Sequence, residues 1–273
     1  MSIIAISRGT FSGGEAVAKG VADRLGYRCV SREVIMEAAR LYNVPADALL
    51  VAMDRRPPLW ERVSGARSTH RVLVQAAMCE YACGGKLVYH GNLGHLFLPG
   101  VTHVVPVRVI ADMEFRVTAA MNQQTLTRDE AIGYIDKVDK ERRQWTRFLF
   151  DVDWDDSQLY AVVLNLGHLS VTTACEMVAS LAARAEFQPT VASAKAMQDL
   201  TLKSRVAATL ATDARTQGIF PDVVADDGIV IVTGTTQSPA VMEALPVVVR
   251  QVEGVKDVRS KVRLLREGMS HPM

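Results

Sequence analysis

SIIAISRGTFSGGEAVAKGVADRLG, residues 2–26, is the stretch on which the architecture turns. Its opening SIIAIS is a short apolar run with strand character, RGTFSGG supplies a glycine-bearing turn, and EAVAKGVADRLG is an alanine-rich helix that closes at Gly26. A strand that feeds through glycines into a helix points the helix's unpaired N–H groups, and the positive end of its dipole, at whatever the loop encloses. That arrangement suits an anion, phosphate above all.

Outward from this unit the alternation repeats. YRCVS (27–31), KLVYH (86–90), VTHVVPVRVI (101–110) and YAVVLNLG (160–167) read as strands. Between and after them, REVIMEAARLY (32–42), about Thr69–Cys83, ADMEFRVTAAMN (111–122), 127–150 and SVTTACEMVASLAARAE (170–186) read as helices, the last capped by Ser170. Such alternation predicts a mostly parallel sheet flanked by helices. Pro106 fits the start or edge of its strand better than the middle, Gly133 marks a break in the long helix, and DRRPPLWERVSG (54–65) reads as irregular. The Gln188–Thr190 region marks a boundary between a first domain at 1–187 and a second at 198–266. The second begins with a helix near 198–213, followed by two strands separated by Asp226, Asp227 and Gly228. A helix interrupted or begun by Pro246 comes next, then a last strand from Val255 to Leu264. The tail REGMSHPM shows no packing commitment.

Composition narrows the function classes. The 31 basic residues nearly balance the 30 acidic ones, so no broad positive field gathers nucleic acid or anionic lipid. No stretch approaches the roughly 20 apolar residues of a membrane helix, and the N-terminus lacks the signature of a secretory signal. A cytoplasmic setting without integral membrane association is expected. The four cysteines suit reduced thiols, and Cys79 and Cys83, with His90 and His95 nearby, match small-residue packing better than any zinc spacing.

Gly9, Thr10, Phe11, Ser12, Gly13, Gly14, Glu15 and Ala16 keep the spacing of the GxxxxGK[ST] phosphate-binding loop but replace its last two residues. Backbone N–H groups still suffice to cradle phosphate. Glu15 stands where lysine is expected and Ala16 removes the magnesium-binding hydroxyl, so a carboxylate near phosphate must point outward, pair with a basic residue or engage a cation. Ser12 is suited either to donate to phosphate or to cap the helix.

The ordered series ISRGTFSGG (6–14), LGYRCVSREVIMEAA (25–39), DMEFRV (112–117) and DKERRQWTRFLFDVDWDDSQLYAVVLNLGHLS (139–170) resembles the cytidylate-kinase-like branch of P-loop nucleoside-monophosphate kinases, over about residues 1–185. The resemblance implies an ATP-like donor near Gly9–Glu15, a nucleoside-monophosphate acceptor between the sheet and a helical lid, and Mg2+ between the phosphates. Carried over by position, Arg8, Gly9, Ser12, Gly13 and Gly14 form the nucleotide-binding set, and Arg32, Arg116 and Arg142 the catalytic set, with Arg147 beside them. Asp139 would orient an arginine or the lid. Two departures touch the acceptor side. Ser31 replaces an aspartate before Arg32, and HGNLGH (90–95) replaces a glycine–arginine–glycine pattern, which His90 or His95 would offset only when positively charged. Asp153, Asp155 and Asp156 suit either magnesium or a solvated loop, so no metal ligand is assigned. Trp145 and Trp154 read as packing residues.

DDGIVIVTGTTQSPA (226–240), VEGVKDV (252–258) and the valine-rich end resemble a BON domain, a small α+β unit whose family is associated with envelopes and membranes; here it reads as a regulatory or self-association module. The expected function is phosphoryl transfer from ATP to CMP or a related acceptor. The alternative is a nonenzymatic nucleotide or phosphometabolite sensor coupled to a BON-like module. Expected partners are a nucleotide or phosphorylated small molecule and further copies of the chain, with no specific nucleic acid.

Overall fold

The structure, a computed structural model, describes residues 1–54, 66–217, 219 and 221–265. The irregular stretch read at 54–65 beyond Asp54 and the tail 266–273 lie outside the described residues. The N-terminal sheet contains β1 (Ile3–Arg8), β2 (Arg28–Val30), β3 (Leu87–Gly91), β4 (Val104–Ile110) and β5 (Val162–Asn165) in the order β2-β3-β1-β4-β5, all parallel. Strand β1 is central, and its side chains alternate between two cores. Ile3 and Ala5 face a layer built from α2 (Glu33–Tyr42), α3 (Ala46–Asp54) and α4 (Ala66–Ala82). Ile4 and Ile6 face α1 (Gly14–Leu25) and α7 (Val171–Ala182). The period of two along the strand therefore gives a sheet buried on both faces, as parallel sheets require.

Two long helical segments stand over the carboxyl ends of the strands: α5 (Met113–Gln124), capped by Asp112, and α6 (Arg128–Phe150), opened by a Thr127–Glu130 capping box. Helix α6 runs through Gly133 without the expected break, because the capped first turn ahead of it, the long run of helix after it and the buried Ala131, Ile135 and Trp145 hold it. Pro106 is an internal residue of β4, paired with Ala5. Its carbonyl accepts the Ala161 N–H at 2.8 Å, so its missing donor faces the flank just ahead of the first paired residue of β5.

Helix α8 (Val191–Thr212) starts earlier than the sequence pattern suggests, from a Thr190–Ser193 capping box. One face delivers Met197, Leu200 and Ala208 to the core that α2, α3 and α4 form on the N-terminal sheet; another delivers Leu202, Val206 and Leu210 to a separate core under the C-terminal sheet. Glu80 of α4 takes two hydrogen bonds from Arg205 of α8. The C-terminal sheet, ordered β6-β7-β8, comprises β6 (Asp222–Asp226), β7 (Ile229–Thr236) and β8 (Asp257–Leu264). The turn between β6 and β7 places Asp227 and Gly228 at φ 48 and 88, the pair of positive values a tight hairpin of right-twisted strands demands. Helices α8 and α9 (Pro239–Arg250) cover one face, and α9 continues through Pro246. Among the described residues no helix is long and apolar enough to cross a membrane.

Candidate functional site

The chain leaves β1 at Arg8, turns through Gly9–Gly13 and enters α1. Phe11 and Gly13 occupy positive φ, 57 and 79, which folds the loop back over the helix start. Glycine is required twice for space as well: a side chain at Gly13 would meet Leu166 at 2.6 Å, and one at Gly14 would meet Arg8 at 2.5 Å. The first intrahelical partner is the Val17 N–H on the Gly13 carbonyl, so the N–H groups of Gly14, Glu15 and Ala16 have no acceptor within the helix. A cavity of about 540 Å³ opens there. Arg8, Arg32, Arg142 and Lys19 line it, four cations against the single carboxylate of Glu15.

The expected residues divide between two sides of this loop. Arg8, Ser12, Gly13, Gly14, Arg32 and Arg142 border the large cavity. Arg116 borders a smaller cavity of about 130 Å³ with Gly9, Ser12 and Arg108. Its guanidinium is spent on Asp139 and on the Thr10 carbonyl, 2.8 Å away. The buried Asp139 also accepts the Thr10 N–H at 3.2 Å and the Thr10 hydroxyl at 2.7 Å, while Arg142 donates to that hydroxyl oxygen at 3.2 Å. Asp139 thus moors α5, α6 and the phosphate loop to one another. The Ser12 hydroxyl neither caps α1 nor turns to the cavity; it lies against the carbonyls of Gly9 and Val109 at 3.0 and 3.1 Å. Burial lowers the pKa of Arg8, with Glu15 acting in the opposite sense. Arg147 sits away from both cavities, against Asp153 at 3.7 Å.

Glu15 pairs with Lys19 at 2.8 Å, and this hydrogen bond holds its carboxyl below the usual range, so it is ionised at neutral pH. The pair is exposed and of the weak i,i+4 kind. The protein does not fit a standard magnesium site. Ala16 offers no side-chain oxygen, Asp155 is engaged by Arg108 at 3.0 Å and by Arg143 at 3.1 Å, and Asp156 caps the Gln158 N–H. Among the described residues the acidic trio Asp199, Asp226 and Asp227 has metal-ligand spacing, but Lys195 pairs with all three. The arginine missing from HGNLGH is not made good by a charged histidine: burial lowers the pKa of His90, and that of His95 falls to about 4. Both are neutral at pH 7. The carboxylate missing at Ser31 has a neighbour in Glu33, which accepts the Ser31 N–H at 2.6 Å. Cys79 is buried against Ser204, its thiol pushed up to about 12 by burial, which disfavours the thiolate a metal needs.

Three residues escape a reading by motif. Thr10 lies inside the loop but carries the moorings just described. Lys19 lies beyond it, although its i,i+4 spacing from Glu15 is visible in the sequence. Arg108 of β4 is buried, stacked over Trp154 with its guanidinium carbon 4.0 Å from the ring centre, and its position is announced by no glycine or charge pattern. Trp145 is fully buried beside Phe150.

A strand, glycine loop and helix at the carboxyl edge of a five-stranded parallel sheet define a P-loop NTPase-like α/β domain with a small mixed-sheet domain behind it. The model of the cytidylate kinase-like family matches residues 3–168, and the chain belongs to that family. The BON domain model matches residues 198–266. A crystal structure of an uncharacterized protein from Eubacterium ventriosum ATCC 27560 is similar at TM-score 0.53 and 19% identity, over 67% of this chain and 100% of that one. Two shikimate kinases also align. That of Acinetobacter baumannii in complex with shikimate has TM-score 0.38 and 12% identity over 66% and 92% of the two chains; that of Bacteroides thetaiotaomicron has 0.42 and 10% over 66% and 97%. A comparison with the curated proteins gives no match.

Proposed function

We propose that the cavity at the head of α1 binds a nucleoside triphosphate and that the chain transfers its terminal phosphoryl group to CMP or a related phosphorylated acceptor. The observation that carries this reading is the convergence of Arg8, Arg32, Arg142 and Lys19 with the unpaired N–H groups of α1 around one cavity of about 540 Å³. The loop N–H groups hold the donor phosphates. Arg142, brought from α6 onto Thr10, meets charge developing on the transferred group, and Arg32 at the start of α2 holds the acceptor phosphate. An ionised acceptor phosphate needs no general base. Arg116 acts as a positioning residue, through Asp139 and Thr10.

Incubation with ATP, magnesium and a panel of nucleoside monophosphates, with ADP and phosphorylated product quantified, tests the reading. Product should form, and Arg142→Ala should lower the rate by about a hundredfold or more, the usual scale for losing one preorganised charge-stabilising donor. No ADP and no product with any acceptor at saturating ATP rejects it.

A second reading, a nucleotide sensor without turnover, is favoured by Glu15 and Ala16, which withhold the lysine and hydroxyl of efficient transfer, and by α8, which joins the nucleotide-binding core to the BON domain. Saturable binding without product supports it. Under either reading we place the protein in the cytoplasm and assign the C-terminal domain, whose β6 and β8 are sheet edges, a role in self-association. Light scattering on the full chain checks this: a monomer at all working concentrations rejects it.

A further inference from the structure

We infer that Lys19 has taken over the phosphate-binding role of the lysine that the loop's spacing leaves to Glu15. The inference rests on the nucleotide-binding reading above and concerns which side chain supplies the cation. Residues 15 and 19 lie one turn apart on the same face of α1, with a rise of about 6 Å between them. Helical side chains lean toward the N-terminus, so a long side chain at position 19 is directed back over position 15. The contact shows that it arrives: Lys19 Nζ is 2.8 Å from Glu15 Oε1, and Lys19 shares the cavity lining with Gly13, Gly14 and Arg32.

Neither partner is fixed. Both are half exposed or more, and the pair has the strength of an ordinary surface contact, so several phosphate oxygens outbid one carboxylate for the ammonium. Arg8 is not an equivalent source of charge at this position. It rises beneath the loop from β1, partly buried against Gly14, with the Tyr89 phenol and the Arg32 guanidinium as further neighbours. Glu15 then acts as a placeholder that keeps Lys19 over the helix start until phosphate enters.

The test is equilibrium binding of ATP and of inorganic tripolyphosphate to the full-length protein and three variants, with CMP as a control ligand. Lys19→Met should weaken ATP and tripolyphosphate about tenfold or more and leave CMP within twofold. Lys19→Arg should keep both within about threefold, and Glu15→Gln should tighten both severalfold by releasing the ammonium. Lys19 is exposed, and circular dichroism of each variant confirms the fold. ATP and tripolyphosphate binding by Lys19→Met within twofold of wild type overturns the inference while leaving nucleotide binding intact. Absence of ATP binding by the wild-type protein overturns the nucleotide reading and the inference together.

Discussion

Asp139 shows how much of the phosphate loop's shape is set from 129 residues away in the chain. Its two oxygens serve the Thr10 N–H, the Thr10 hydroxyl and the Arg116 guanidinium, all largely out of water. Removing the carboxylate strands a buried cation and a buried N–H, a change that costs about 3–5 kcal/mol when one member of a buried pair is lost. Asp139→Ala should therefore lose about 3 kcal/mol in denaturant unfolding, and more than Arg116→Ala, which leaves a carboxylate that Thr10 still satisfies. His95 gives a second residue-scale expectation. Its pKa is lowered from 6.5 to about 4 by burial alone, and among the described residues neither ring nitrogen has a hydrogen-bond partner. A histidine whose folded pKa lies below its unfolded one contributes stability that is present above pH 6.5 and is lost as pH falls toward 4. The loss amounts to something on the order of 3 kcal/mol once protonation is complete. His90 and His103 shift in the same direction, so the diagnostic quantity is a difference: His95→Phe should flatten the fall of Tm between pH 6.5 and 4 relative to wild type.

At the scale of elements, α6 and the loop make opposite demands on glycine. Gly133 sits exposed in the α6 interior with nothing near an added Cβ and no positive φ, so Gly133→Ala should stabilise the protein by about 0.5–1 kcal/mol, read by thermal unfolding. Gly13→Ala combines a positive φ with a 2.6 Å approach to Leu166 and should destabilise the loop and abolish nucleotide binding together. The strand and helix elements are legible in the sequence because each carries its own period: SIIAIS, KLVYH and VVLN alternate or run apolar, and the intervening helices show caps such as Ser170. What the period hides is partnership. Gly133 looks like a break because propensity is local, whereas the helix is held by tertiary burial of Ala131, Ile135 and Trp145. The glycine loop and the arginines, from which the proposal of a phosphate ligand starts, are legible in the same way. The direction of the Ser12 hydroxyl, the separation of Arg116 from Arg142 and the Thr10–Asp139 mooring depend on contacts between distant segments that no spacing rule encodes.

For the whole molecule, the decisive element is α8, whose residues complete two hydrophobic cores at once. A chain ended at Gln188 would strip Met197, Leu200 and Ala208 from the first core and leave Glu80 without Arg205. It should bind a hydrophobic dye and melt well below the intact protein, while a chain ended after Thr212 should recover much of the difference. The same helix ties the two domains together through its packing on α4 and the Arg205–Glu80 contact. The proposed function requires that the cavity at the head of α1 receive phosphate. Calorimetric titration of the intact protein with ATP, repeated at increasing salt, tests that most directly. The account predicts saturable binding that weakens as salt screens the four lining cations and is reduced in Arg142→Ala. The absence of any binding heat with ATP, GTP or CMP at millimolar concentration, across several temperatures, would contradict it.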